Sequence, residues 1–111
     1  MITRYALFEG TVAEGQAEAF RAAILDEVLP TWRAMPGALA VRVTFADERD
    51  EGAPEFPLIL AIDYADRAAV DAMLASPVRM ASRAATMSVL GRFFTGRIHH
   101  HVTQAHAYEP A

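Results

Sequence analysis

Three consecutive imidazoles, His99-His100-His101, with His106 shortly downstream, carry the plainest chemistry in the chain. An imidazole titrates near neutral pH and can move a proton within a pocket. On a regular strand the side chains alternate, so His99 and His101 share one face and His100 points to the other. Two histidines at i and i+2 can chelate a metal. A stable site also needs a third protein ligand and a second shell, and no such ligand occurs at a recognisable spacing. No residue is therefore assigned to a metal. Acid–base work is the better chemical reading, with Tyr5 as a partner across adjacent strands. The competing reading has these histidines lining the sheet or a subunit interface, satisfied by neighbours or water. That is the commoner fate of such residues.

Asp63 lies within an apolar run, where a carboxylate needs a partner or becomes a proton acceptor with a raised pKa. Arg42 is a candidate partner if the two strands are neighbours. Trp32, Tyr64, Phe93 and Phe94 are candidates to line a pocket for a flat hydrophobic ligand, although such aromatics are more often plain core. Met73, Met80 and Met87 read as adaptable core packing. No G-x-G-x-x-G, P-loop, G-x-S-x-G or H-E-x-x-H pattern occurs, so nucleotide binding and serine hydrolase chemistry have no support.

The elements that must hold these residues follow from periodicity. Ile2 to Val12 alternates as a strand, with Tyr5, Leu7 and Glu9 on one face and Arg4, Ala6 and Phe8 on the other. After the turn Ala13-Glu14-Gly15, Phe20, Ile24 and Val28 recur at helical spacing. Pro30 predicts a kink or an end near Leu29, with one more turn before Pro36-Gly37. Leu39 to Ala46 alternates cleanly as a second strand. Asp47 to Glu55 is a charged loop. Pro57 to Tyr64 is a third strand buried on both faces. Asp66 caps a helix through Leu74. Ser76-Pro77 starts another, whose expected apolar stripe is Met80, Ala84, Met87 and Leu90. Gly91 and Gly96 bracket its exit, and Ile98 to about Ala107 is the last strand. The order βαββαβ packs as a two-layer α+β sandwich with both helices on one face of the sheet.

Composition sets the outer limits. The length, 111 residues, suits one domain spanning 1–111. Hydrophobic residues make up 53% of the chain, which is rich for a small monomer and points to a subunit interface. The net charge is −4, every basic residue is Arg, and no basic run occurs, so nucleic acid is not an expected partner. There is no Cys, which removes disulfide and thiolate chemistry and fits a reducing compartment. The first residues lack the features of a signal peptide, and no apolar run approaches the roughly 18–20 residues that span a bilayer. The expectation is a soluble cytoplasmic protein with no membrane partner.

Three stretches carry a family resemblance. They are Val28 to Gly37 before a strand, Leu60 to Arg67 with an aromatic strand end before an acidic helix start, and Ala75-Ser76-Pro77 with a long helix and Gly91-Arg92-Phe93-Phe94. In these the chain resembles the dimeric α/β-barrel superfamily, which includes EthD-like proteins, antibiotic-biosynthesis monooxygenases and stress-responsive α/β-barrel proteins. Some stress-responsive relatives carry a His shortly after the helix-starting Pro. Here Val78-Arg79-Met80 stands there, so roles tied to that His are not carried over. The resemblance implies a ferredoxin-like fold whose four-stranded antiparallel sheet pairs with a copy of itself as a homodimer. It also implies a cofactor-independent monooxygenase or EthD-like enzyme acting on a small hydrophobic or aromatic molecule. No cofactor is needed if the substrate forms a stabilised carbanion while the His cluster and Tyr5 handle protons. The alternative is a non-catalytic ligand-binding or accessory dimer.

Overall fold

The computed structural model describes residues 1–111. Four strands, β1 (Ile2–Val12), β2 (Ala40–Phe45), β3 (Leu58–Tyr64) and β4 (Phe94–Gln104), form one antiparallel sheet in the order β2-β3-β1-β4. The two long strands lie side by side at the centre and edge, as the ferredoxin-like order requires. Directly paired residues share a face. One face thus carries Arg4, Ala6 and Phe8 beside Ile62, Leu60 and Leu58, and beside Val102, His100 and Ile98. The other carries Thr3, Tyr5 and Leu7 beside Asp63, Ala61 and Ile59, and beside Thr103, His101 and His99.

The helices cover the first face. Ala6, Phe8, Leu58, Leu60, Ile62 and Tyr64 form one core cluster with the helical residues Phe20, Ile24, Val28, Trp32, Val70, Met73 and Val89. The expected helix from Gln16 is present, and of the two outcomes expected near Leu29 it takes the distortion, with a further turn beyond, rather than the end. It runs as α1 (Ala17–Ala23), a π-helical segment (Ile24–Val28) and α2 (Leu29–Arg33). Pro30 has no N–H to give to the preceding turn, and the wide turn falls directly before it. The Leu29 N–H donates five residues back to the Ile24 carbonyl. In a regular α-helix a stripe of four-residue steps drifts by about 40° per step. The π turn rotates less per residue and removes that drift. Phe20, Ile24, Val28 and Trp32 therefore all stay buried.

α3 (Arg67–Leu74) begins at Asp66, whose carboxylate accepts the Ala69 N–H at 2.9 Å. α4 (Pro77–Phe93) begins at Ser76, which accepts the Arg79 N–H at 3.2 Å. It passes through Gly91 without a break. Its inward face differs from the expected stripe. Met80 and Met87 are 70% and 50% exposed; Leu90 is buried as expected, but its buried companions are Ser82, Thr86 and Val89. The expected stripe holds the most apolar residues, but tertiary packing turns the helix so that a more polar line faces inward. The polar groups are satisfied locally. Thr86 donates to the Ser82 carbonyl at 2.8 Å, and Thr31 on α2 hydrogen-bonds both the Val28 carbonyl and the Ser82 hydroxyl.

β4 begins earlier than expected, at Phe94, because Gly10 and Gly96 pair directly across the two strands. A Cβ at either glycine would collide with the facing backbone and with the Phe94 ring laid over the pair. No helix is long and apolar enough to cross a membrane.

Candidate functional site

A cleft opens between the helix-covered sheet face and α4, with about 80 Å³ of interior space. Each element contributes by its own period. β1 and β4 supply Arg4 and His100, which lie on the same face because Ala6 is the register partner of His100 and Arg4 is two residues from Ala6. β3 supplies Tyr64 at its end. α4 supplies Arg79, Ser82, Arg83 and Thr86, spaced three and four apart along one helical face. Trp32 and Met35, together with Met73 of α3, close the apolar side.

Ser82 and Thr86 are hydrogen-bonded, but other polar groups in this cleft lack partners. Tyr64 is fully buried, and its hydroxyl makes no hydrogen bond. A phenol buried in this way forfeits the solvation it would have in water, a cost of about 1–3 kcal/mol. Burial raises the Tyr64 pKa, and the Arg4 charge opposes that rise. Burial also lowers the pKa of Arg4, with the like charge of Arg79 acting in the same direction. The His100 ring is pushed down to about 4, first by burial against the wall, then by Arg4, Arg79 and Arg83, and last by His99. His100 as a whole residue is nevertheless exposed, at the mouth of the cleft. It is thus a neutral imidazole at pH 7, able to accept a hydrogen bond or a proton.

The sequence candidates divide between the two faces. His100, Trp32 and Tyr64 meet in the cleft. His99, His101, Tyr5, Asp63 and Arg42 lie on the opposite face. There Tyr5 stands opposite His101 in the register, the geometry anticipated for a tyrosine–histidine pair. His99 instead hydrogen-bonds Glu9 at 2.8 Å. Asp63 accepts the Thr3 hydroxyl at 2.6 Å, so the expected pairing with Arg42 is replaced. The register puts Ala40, not Arg42, opposite Asp63. Phe93 and Phe94 do not line the cleft. Phe93 packs edge-on against Phe20, and Phe94 against Phe8. No three His, Asp or Glu side chains converge closely enough to hold a metal ion.

Reading the sequence missed Arg4, Arg79, Ser82, Arg83 and Thr86. A signal was present, because Arg79, Ser82 or Arg83, and Thr86 recur at helical spacing. It was outweighed by the neighbouring methionines, displaced by one residue or about 100° around the helix.

No family model and no curated protein matches the chain by sequence. Solved structures do match in fold. An EthD (ethyl tert-butyl ether D) family protein from Bacillus halodurans superposes with a TM-score of 0.74 at 21% identity, over 96% of this chain and 99% of its own. HapK from Hahella chejuensis gives 0.65 at 20% identity, over 100% and 98%. SnoaB, a cofactor-independent oxygenase from Streptomyces nogalater, gives 0.59 at 21% identity, over 99% and 97%. The chain therefore has the ferredoxin-like α+β fold of EthD-family and antibiotic-biosynthesis-monooxygenase-like structures, as the resemblance in sequence implied.

Proposed function

We propose that the protein is a cofactor-independent, monooxygenase-like or EthD-like enzyme that takes a small hydrophobic or aromatic molecule into the cleft between the sheet and α4. One observation carries this reading. The cleft joins an apolar wall of Trp32, Met35 and Met73 to a neutral His100 and a hydroxyl, Tyr64, that nothing in the protein satisfies. The fold shared with SnoaB adds a precedent for such chemistry without a cofactor.

The reaction class follows from those groups. A substrate with an acidified C–H loses its proton to His100. The negative charge that develops on the substrate offsets the guanidinium charges that otherwise oppose the imidazolium, and those same charges stabilise the carbanion. The reacting carbon carries two hydrogens. The carbanion gives electrons to dioxygen and bonds to it, and the resulting peroxide takes back the proton held by His100. O–O cleavage with loss of the second hydrogen then releases water and leaves one oxygen atom in the product as C=O. Of the candidates read from sequence, His100 is the proton acceptor, while Trp32 and Tyr64 bind ligand. His99, His101, Tyr5, Asp63 and Arg42 belong to the opposite face.

The interior is small. A cavity of about 150 Å³ accepts benzene, so an aromatic guest must displace a methionine here or lie partly in the mouth. Met35 and Met73 are flexible enough to yield. Oxygen uptake with a panel of phenols and aromatic ketones tests the proposal. The expected result is uptake with at least one substrate, reduced about 100-fold or more in His100→Gln. Binding with no uptake for any of them would leave the non-catalytic ligand-binding reading in its place.

The homodimer belongs to the same proposal. The uncovered sheet face presents Tyr5, Leu7, Ile59 and Ala61 between the polar pairs Thr3–Asp63 and His99–Glu9. It mixes apolar and polar residues. A second sheet placed over it would bury the apolar centre and leave the polar pairs near the rim.

A further inference from the structure

The whole protein is acidic, yet its cleft is cationic. Arg4, Arg79 and Arg83 line it, and no Asp or Glu does. Of the seven other arginines three have an acidic partner, and the four without one, Arg21, Arg33, Arg42 and Arg97, are exposed to solvent. Arg92 grips Glu27 with two hydrogen bonds of 2.9 and 3.0 Å, Arg67 pairs with Asp71, and Arg49 approaches Glu55. The three cleft arginines form no salt bridge and donate no side-chain hydrogen bond within the protein. Arg4 and Arg79 are both half-buried. Holding like charges together in a partly desolvated place is unfavourable unless something of opposite charge enters.

A second observation is independent of charge. The Tyr64 hydroxyl is buried in the same cleft and has no acceptor. Its phenol is a hydrogen-bond donor, and a donor needs an acceptor of the kind an anionic oxygen provides. No acidic side chain lines the cleft to serve.

We propose that the cleft is an anion site, in which Arg4, Arg79 and Arg83 with the Tyr64 hydroxyl hold the charged oxygen atoms of a small aromatic or hydrophobic organic acid. The carboxylate, or the enolate or phenolate that corresponds to it chemically, takes hydrogen bonds from Arg4 and Tyr64 at the depth of the cleft. Arg79 and Arg83 on α4 close over it from the mouth. The apolar body rests against Trp32 and Met73. This names the ligand class for the cleft described above and rests on that cleft being the binding site. It does not depend on the oxygen chemistry.

The test is equilibrium binding to the full-length protein in the absence of turnover. Benzoate is the probe, with benzamide and benzyl alcohol as neutral counterparts of similar shape. Benzoate is expected to bind at least 10-fold more tightly than either, and to weaken as salt rises. Arg4→Gln is expected to lower benzoate affinity 10- to 100-fold while leaving benzamide affinity unchanged. Arg83→Gln, at the more exposed end, provides the same comparison should Arg4→Gln fail to fold. Tyr64→Phe is expected to lower benzoate affinity and to retain the fold. Equal binding of benzoate and benzamide, or benzoate binding indifferent to the arginine substitutions, overturns the inference. Oxygen uptake by a protein that binds benzoate no more tightly than benzamide overturns the inference while sparing the proposed function. Selective benzoate binding with no uptake on any substrate has the reverse outcome.

Discussion

His100 owes its character first to burial and then to three arginines that share its cleft. The same ring in an unfolded chain would titrate near 6.5; here it is held at about 4, by burial first and by the guanidinium charges next. Between those two values the unfolded chain binds more protons than the folded one. The contribution to stability is therefore complete above pH 6.5 and is lost as pH falls toward 4. Two measurements check this. The His100 ring, followed by NMR, should remain neutral at pH 5.5. Thermal stability should fall between pH 6.5 and 4.5 less steeply in His100→Gln than in the parent. A His100 midpoint above 6 would contradict the assigned environment. The two flanking histidines differ for a simple reason. Alternation sends them through the sheet to the other face, where His99 meets Glu9 and His101 faces Tyr5.

At the scale of elements, two features position the cleft. The first is the helix that carries Trp32. A regular α-helix would have rotated Trp32 away from the stripe begun at Phe20, and the π segment before Pro30 brings it back. The second is the long β1–β4 ladder, which carries Arg4 and His100 together. Its close approach at Gly10 and Gly96 leaves no room for a side chain. Gly96→Ala is expected to destabilise the protein by about 2–3 kcal/mol, a fall in Tm of roughly 10 °C or more, because the added methyl meets backbone and the Phe94 ring. Chemical denaturation checks it. Gly91, exposed within α4 with open space around its Cα, serves as control. Gly91→Ala should raise stability by about 0.5–1 kcal/mol by removing glycine from a helix interior.

At the scale of the molecule, the sheet has a covered face and an uncovered one. The uncovered face joins apolar residues at its centre to hydrogen-bonded polar pairs around them. Such a surface suits association with a second copy, and sedimentation is expected to show a dimer. Leu7→Asp should shift it to monomer, since an unpaired carboxylate at the apolar centre costs several kcal/mol to bury. A wild-type chain that sediments as a folded monomer at high concentration would refute the dimer. The cleft residues named above lie on the other face, so ligand binding and dimerisation are separable. Loss of one need not remove the other.

The sequence by itself determined the element order, the caps at Asp66 and Ser76, the alternation that splits the His triplet, and the fold these add up to. Each depends on neighbours within a few residues, where backbone chemistry and side-chain period act locally. The tertiary structure alone decided which line of α4 faces inward and which of the candidate residues meet. Helix periodicity identified the apolar stripe of Met80 and Met87, but packing of α2 and the sheet selected Ser82, Thr86 and Val89 instead. That rotation brings Arg79 and Arg83 opposite Arg4, Tyr64 and His100. Their meeting depends on contacts between residues far apart in the chain, which no local period encodes.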